Sequence, residues 1–192
     1  PSCLIRPRAS GLSLACSAPL RAALTSDEWP VKLWRIAAAT RDCAADDLRG
    51  GGAARYPGRW NKQTEPVIYC APTRAIAILE TAAHIDDSAF PQNRYLVEIT
   101  VPDKVWSARE EIPVARLPVS WDAIPAGQES IKVGSTWLSS RRSPILLVPS
   151  VIVPEEWCAL INPQHPLAAK ISAQSVRAFN YHRLFRSGSM QR

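Results

Sequence analysis

Three residues with complementary chemistry lie close together in the first half of the chain. Arg59 stands in the run Gly58-Arg59-Trp60-Asn61, and Tyr69 and Glu80 follow it ten and twenty-one residues later. Glu80 sits inside Thr73-Arg-Ala-Ile-Ala-Ile-Leu-Glu-Thr-Ala-Ala-His84, where most neighbours are small or apolar. A carboxylate in such surroundings is expensive to bury without a partner. Facing a sugar, it can hold a hydroxyl and stabilise a developing cation. A guanidinium takes phosphate in a forked geometry and never loses its charge. A phenol ring can stack on a heterocycle.

Each residue also has a plainer reading. Arg59 can be a structural arginine that holds loop carbonyls or a carboxylate, and local sequence leaves the two readings level. Tyr69, on an apolar strand, more often belongs to the core with its hydroxyl tied to a neighbour. Glu80 can pair with Arg74 or His84 along its helix, or with Arg59 across the fold. Ser150 follows Pro149 and has no Gly-x-Ser-x-Gly elbow around it, which argues against a hydrolase nucleophile. It is either a strand-bend serine or a donor to Glu80 or to a ligand phosphate.

The elements that must position these residues are short. Val31–Ile36 reads as a strand. Asp42–Gly58 reads as a loop in which Gly50-Gly51-Gly52 is either a flexible connection or a phosphate cradle built of free amides. Pro66–Ala71 reads as a buried strand. Thr73 caps a helix predicted from Arg74 to Ile85, with Ile76, Leu79 and Ala83 on its apolar face. Arg94–Val101 alternates cleanly and is the clearest strand. Residues 103–130, broken by prolines, predict turns with a short helix, and Val133–Ser140 a helical turn around Trp137. Pro144–Val153 reads as a strand interrupted at Pro149-Ser150, and Trp157–Asn162 as another strand. Pro166–Phe179 reads as helix. Together these predict an α+β domain of short, mostly antiparallel strands with flanking helices.

Bulk properties narrow the class. The 192 residues, 46% hydrophobic and 21% charged, suit one globular domain, and 17 prolines argue against a helical bundle. We expect residues 1–30 to be a loosely ordered arm, 31–186 the domain and 187–192 a tail. The net charge of +6 is scattered without a basic block, which argues against direct nucleic-acid binding. Five cysteines without CxxC spacing and three distant histidines predict neither a disulfide framework nor a metal. No apolar run is long enough to span a membrane, and we expect a cytoplasmic protein.

Taken in order, the segments Leu33-Trp34-Arg35-Ile36, Gly58-Arg59-Trp60-Asn61, Val67-Ile68-Tyr69, Ala77-Ile-Leu-Glu80, Leu117-Pro118-Val-Ser-Trp121, Gly134-Ser-Thr-Trp137-Leu138, Val148-Pro149-Ser150 and Leu160-Ile-Asn162-Pro163-Gln-His165-Pro166 resemble the RES family. This family comprises toxins of bacterial toxin–antitoxin pairs and is named for an Arg, a Glu and a Ser. The resemblance covers roughly residues 31 to 186. It implies an ADP-ribosyltransferase-like core that uses NAD as substrate, without a metal. It further implies that Glu80, Arg59 and Tyr69 are catalytic and that Arg59, Tyr69, Ser150, Arg35, Trp60 and Asn61 bind NAD. The same resemblance implies a helix-turn-helix antitoxin that covers the active-site cleft.

Cleavage of the nicotinamide–ribose bond followed by transfer of ADP-ribose to phosphate or water is the first expectation. Transfer to a specific host protein is the alternative, and a non-catalytic basic module is a third reading. One departure stands out. Lys62-Gln-Thr-Glu65 occupies a stretch where members commonly carry a glycine before the strand.

Overall fold

The computed structural model describes residues 30–85 and 90–185. The expected tail, and all of the expected arm but Pro30, lie outside those residues. Within these residues seven strands and four α-helices form an α+β fold. They are β1 (Val31–Ala38), α1 (Gly51–Arg55), β2 (Ile68–Cys70), α2 (Arg74–Ala82), β3 (Arg94–Val101), α3 (Asp103–Ser107), β4 (Glu110–Glu111), α4 (Gln128–Ser140), β5 (Ile145–Pro149), β6 (Trp157–Ile161) and β7 (Ser172–Phe179). One sheet has the order β1-β3-β7 and the other β2-β6-β5-β4. All pairs are antiparallel except β4 with β5. Reciprocal backbone bonds between Trp34 and Ala71, both 2.8 Å, join the sheets at one corner.

Alternation along the strands assigns each side chain to a layer. Leu33, Ala37, Val97, Ile99 and Val101 of the first sheet meet Ile68, Cys70, Ile145, Leu147, Ala159 and Ile161 of the second in the central core. The opposite face of the second sheet carries Leu146, Val148 and Leu160 into a second core with Trp60, Trp121 and Trp137. Trp34, Ile36 and Leu96, on the far side of the first sheet, pack against Ile76 and Ala77 of α2. Cys70 is buried, and that burial pushes its thiol up to about 12. Among the described residues no helix is long and apolar enough to cross a membrane.

The structure corrects several expectations. Residues 172–179, expected as helix, form β7 after a 3₁₀ turn over Pro166–Lys170, because pairing with β3 outweighs the apolar spacing. Gly51–Arg55, expected as loop, makes one helical turn. Helix α4 starts five residues before the expected turn, and α2 ends at Ala82, three residues before the expected Ile85. Leu79 is exposed rather than buried, and the covered face of α2 is Ile76 and Ala77. This rotation brings Glu80, one turn on from that pair, to the edge of the packed face.

Two backbone positions govern how the Trp60 segment meets the rest. Thr64 has φ 72°, in the left-handed region, and its N–H is held by Ala54 O at 2.8 Å. A β-branched residue there is strained by about 1–2 kcal/mol, and this is the stretch where a glycine was expected. At Gly134 a Cβ would stand 1.9 Å from Trp60 O, so α4 approaches the Trp60 backbone as closely as only glycine permits. Thr64→Gly is expected to raise stability by about 0.5–1 kcal/mol, strain relief exceeding the added chain entropy. Gly134→Ala is expected to lower it by about 3 kcal/mol through forced separation of packed backbone. Urea unfolding of both variants checks the pair, and a stabilised Gly134→Ala would refute the close packing.

Candidate active site

The Asn61 side chain organises the first wall of the site. It is fully buried, and its Nδ2 donates to the carbonyls of Ala53, Lys62 and Glu65 at 2.9, 3.0 and 3.0 Å. Its Oδ1 accepts from Gly58 N at 2.9 Å and from the Tyr69 hydroxyl at 2.8 Å. The same hydroxyl accepts from Trp60 N at 3.0 Å. At Gly58 a Cβ would stand 2.8 Å from the Tyr69 hydroxyl oxygen, so the motif glycine lets the turn lie directly on the phenol. Burial pushes the Tyr69 hydroxyl well above the ordinary phenol range, while Trp60 N and Arg59 pull the other way.

Arg59 does not pair with Glu80. Its Nη1 donates to Trp121 O at 2.7 Å and to Ala123 O at 2.9 Å, which fastens the 121–123 loop over the Trp60 corner. Partial burial holds this guanidinium below its ordinary value, opposed by the charges of Asp122, Glu80 and Tyr69 nearby. The plainer reading of Arg59, an arginine holding loop carbonyls, thus describes Nη1. Trp60 is a core side chain stacked on Trp121, with ring centroids 6.4 Å apart. The side chains of Trp60 and Asn61 shape the wall, and every polar atom of the Asn61 amide is already bonded to protein.

The second wall holds the carboxylate. Helix α2 lies across β1 and reaches β6, with Thr73 Oγ1 accepting from Ile76 N at its start. Glu80 Oε1 accepts a 2.5 Å hydrogen bond from Ser150 Oγ. Ser150 is fully buried at the end of β5, and its Oγ accepts from Ile152 N at 3.1 Å and from Val153 N at 3.0 Å. Two amides on that oxygen polarise the hydroxyl toward Glu80. Among the described residues no cation forms a salt bridge with Glu80. Arg74, one of the two helix partners considered for it, instead lies 3.8 Å over the Trp34 ring. Cys158, on β6 beside Val148, is pushed well above the ordinary thiol range by burial and by Glu80.

A cleft of about 800 Å³ lies beside the Asn61 wall, and its lining includes Arg35, Gly50, Gly51, Gly52, Tyr69 and Arg94. Of the candidate catalytic residues Tyr69 belongs to this lining, whereas Glu80, Arg59 and the Ser150 that holds Glu80 stand outside it. Arg35 points to the same side of β1 as the core residues Leu33 and Ala37. Burial holds it below its ordinary value, and Nη2 donates to Ala45 O at 3.1 Å. Asn162 is structural, with Nδ2 donating to Leu138 O and Oδ1 accepting from Gln164 N.

Sequence reasoning missed Glu65, whose Oε2 accepts from Lys62 N at 2.7 Å and from Ser135 Oγ at 2.6 Å, tying the Asn61 turn to α4. The signal was present in the motif around Gly134, but the partners are 70 residues apart.

The chain matches the RES domain family across residues 32–183. It belongs to the RES domain family. A relative from Sphingobium sp. (strain YBL2), named Prs ADP-ribosylating toxin, is 52% identical over 148 residues, which cover 77% of this chain and 92% of that protein. A Yersinia enterocolitica protein named Toxin Res is 37% identical over 133 residues, covering 69% of this chain and 84% of that one. Among solved structures, the Mycobacterium tuberculosis MbcT–MbcA toxin–antitoxin complex contains a chain with TM-score 0.56 and 20% identity, covering 77% of this chain and 83% of its own. At that identity the likeness speaks for the RES fold alone.

Asn61→Ala is expected to destabilise this RES domain by at least about 3 kcal/mol, since it strips partners from three carbonyls, one amide and one hydroxyl. Tyr69→Phe removes a single node and is expected to cost about 1 kcal/mol. Denaturant unfolding of the two variants checks the ranking. Equal losses would mean that the amide is not the hub.

Proposed function

We propose that this chain is the toxin of a bacterial toxin–antitoxin pair that breaks NAD at the nicotinamide–ribose bond and passes ADP-ribose to a protein acceptor. The observation that carries the reading is the Glu80 carboxylate, held by Ser150 Oγ at 2.5 Å and without a salt-bridge partner among the described residues. Its negative charge is therefore available to a substrate. In the reaction the bond from ribose C1′ to the nicotinamide nitrogen breaks, and the electron pair leaves with nicotinamide. The sugar passes through an oxocarbenium-like state that Glu80 stabilises by ~3 kcal/mol. The acceptor then attacks C1′ and loses its proton. Ser150 keeps the carboxylate aimed, because its hydroxyl is already filled by two amides.

In the same reading Tyr69 sets its ring against the nicotinamide end. Arg35, which lines the cleft, takes the phosphates, and the donors of Arg59 not used on Trp121 and Ala123 serve the ribose side from outside that lining. Trp60 and Asn61 act on NAD through the wall they build. A protein acceptor, rather than phosphate or water, is supported by the name and 52% identity of the Sphingobium relative, which makes Prs the first candidate. Transfer to water or phosphate is then the background reaction without an acceptor. A cognate antitoxin, of helix-turn-helix type by the family resemblance, would cover the cleft in the cytoplasm, where NAD and Prs meet the toxin.

Glu80→Gln keeps a hydrogen-bond acceptor for Ser150 but loses the charge. It is expected to lower NAD consumption by about 10²–10³-fold while the melting temperature stays close to wild type. Product analysis by mass spectrometry, with Prs, phosphate or buffer alone, separates the acceptors. Wild-type turnover in the Gln variant would sink the role given to Glu80.

A further inference from the structure

The segment between α3 and α4 carries a feature that NAD chemistry leaves unexplained. Val119 is 102% exposed and Ile124 85% exposed, on a loop that is firmly held. Its centre, Trp121, is buried against Trp60, and Trp121 O and Ala123 O both accept from Arg59 Nη1. Trp121 N and Ala123 N donate back to Pro118 O and Ser120 O, at 3.0 and 3.2 Å. Two large aliphatic side chains are thus presented to solvent from a fixed frame, with the exposed Asp122 between them. Apolar surface held out in this way gains free energy only when something covers it.

The position of the loop says what covers it. Arg59, which fastens it, precedes Trp60, whose N–H meets the hydroxyl of Tyr69 on the cleft wall. A protein resting on Val119 and Ile124 therefore sits on the side of the cleft that Trp60 and Tyr69 wall off. An acceptor that attacks ribose bound in the cleft must approach from the surface around it, so a hold beside the cleft is what it needs. Asp122 adds a negative charge that suits a cationic rim on the acceptor.

We infer that Val119, Asp122 and Ile124 form the docking surface for the protein that receives ADP-ribose, recognising an apolar patch bordered by Lys or Arg. This rests on the acceptor reading above and extends it from the chemistry to the partner. Side chains already held in a fixed frame lose little freedom when a partner covers them, which lowers the cost of binding.

The test is a Val119→Ser/Ile124→Ser double variant of the full chain, with Asp122→Lys as a second variant. Three readouts are taken: NAD loss without any protein acceptor, radiolabel passed from NAD to purified Prs and, in parallel, to proteins of a bacterial lysate, and binding of the cognate antitoxin. NAD loss within about twofold of wild type, with labelling of the acceptor reduced at least tenfold through a higher KM for the protein, supports the inference. Labelling equal to wild type in both variants overturns it. So does retained labelling with lost binding of the antitoxin, which would assign the surface to that partner instead. A wild-type protein that consumes NAD but labels no protein overturns the acceptor reading and this surface with it, whereas an unaffected labelled band in the variants overturns the surface alone.

Discussion

The buried amide of Asn61 is the constraint on which the site depends. One side chain satisfies three carbonyls, a backbone amide and a phenol, and so converts the irregular stretch from Ala53 to Glu65 into a rigid wall. Irregular backbone can be buried only where its polar groups find partners. Here those partners come from a single residue, with Tyr69 relaying the restraint into β2. Glu65 then carries it to α4 through Ser135. The Trp60 corner is therefore held from three directions, and that stiffness keeps Arg59 in place.

The two charged groups of the site are kept apart by the same construction. An Arg59–Glu80 pair would neutralise the carboxylate and cost both groups their hydration. Arg59 instead binds carbonyls, and Glu80 accepts from a neutral hydroxyl. A carboxylate tied by a neutral donor keeps its full charge, whereas one paired with guanidinium has most of its field cancelled nearby. The protein positions Glu80 while leaving it able to act on something else.

Much of this was legible in the sequence, for identifiable reasons. The alternation of Tyr95, Val97, Ile99 and Val101 marks β3 because one face of that strand is fully covered. The isolation of Glu80 among small residues marks it because few structural partners are available along its own helix. By contrast β7 has only Ala173 and Phe179 covered to any degree, so it carries no apolar alternation to read. The carbonyls that hold Arg59 belong to residues 62 and 64 positions away, and backbone acceptors leave no trace in residue type. Leu79 was misplaced for a simpler reason. Ile76, Ala77 and Leu79 are all apolar, and only packing against β1 chooses the stripe.

The exposure of β7 carries a consequence for how the domain breathes. This strand is hydrogen-bonded along one side, to β3, and nearly all of its side chains face solvent. Its detachment uncovers little apolar surface, so it is a low-free-energy local opening. The Ser150 turn, by contrast, lies at the end of β5, whose five residues are all buried between neighbours. Amide protons of β7 therefore exchange with solvent long before those of β5, and the outer strand can peel away and return while the carboxylate stays in register.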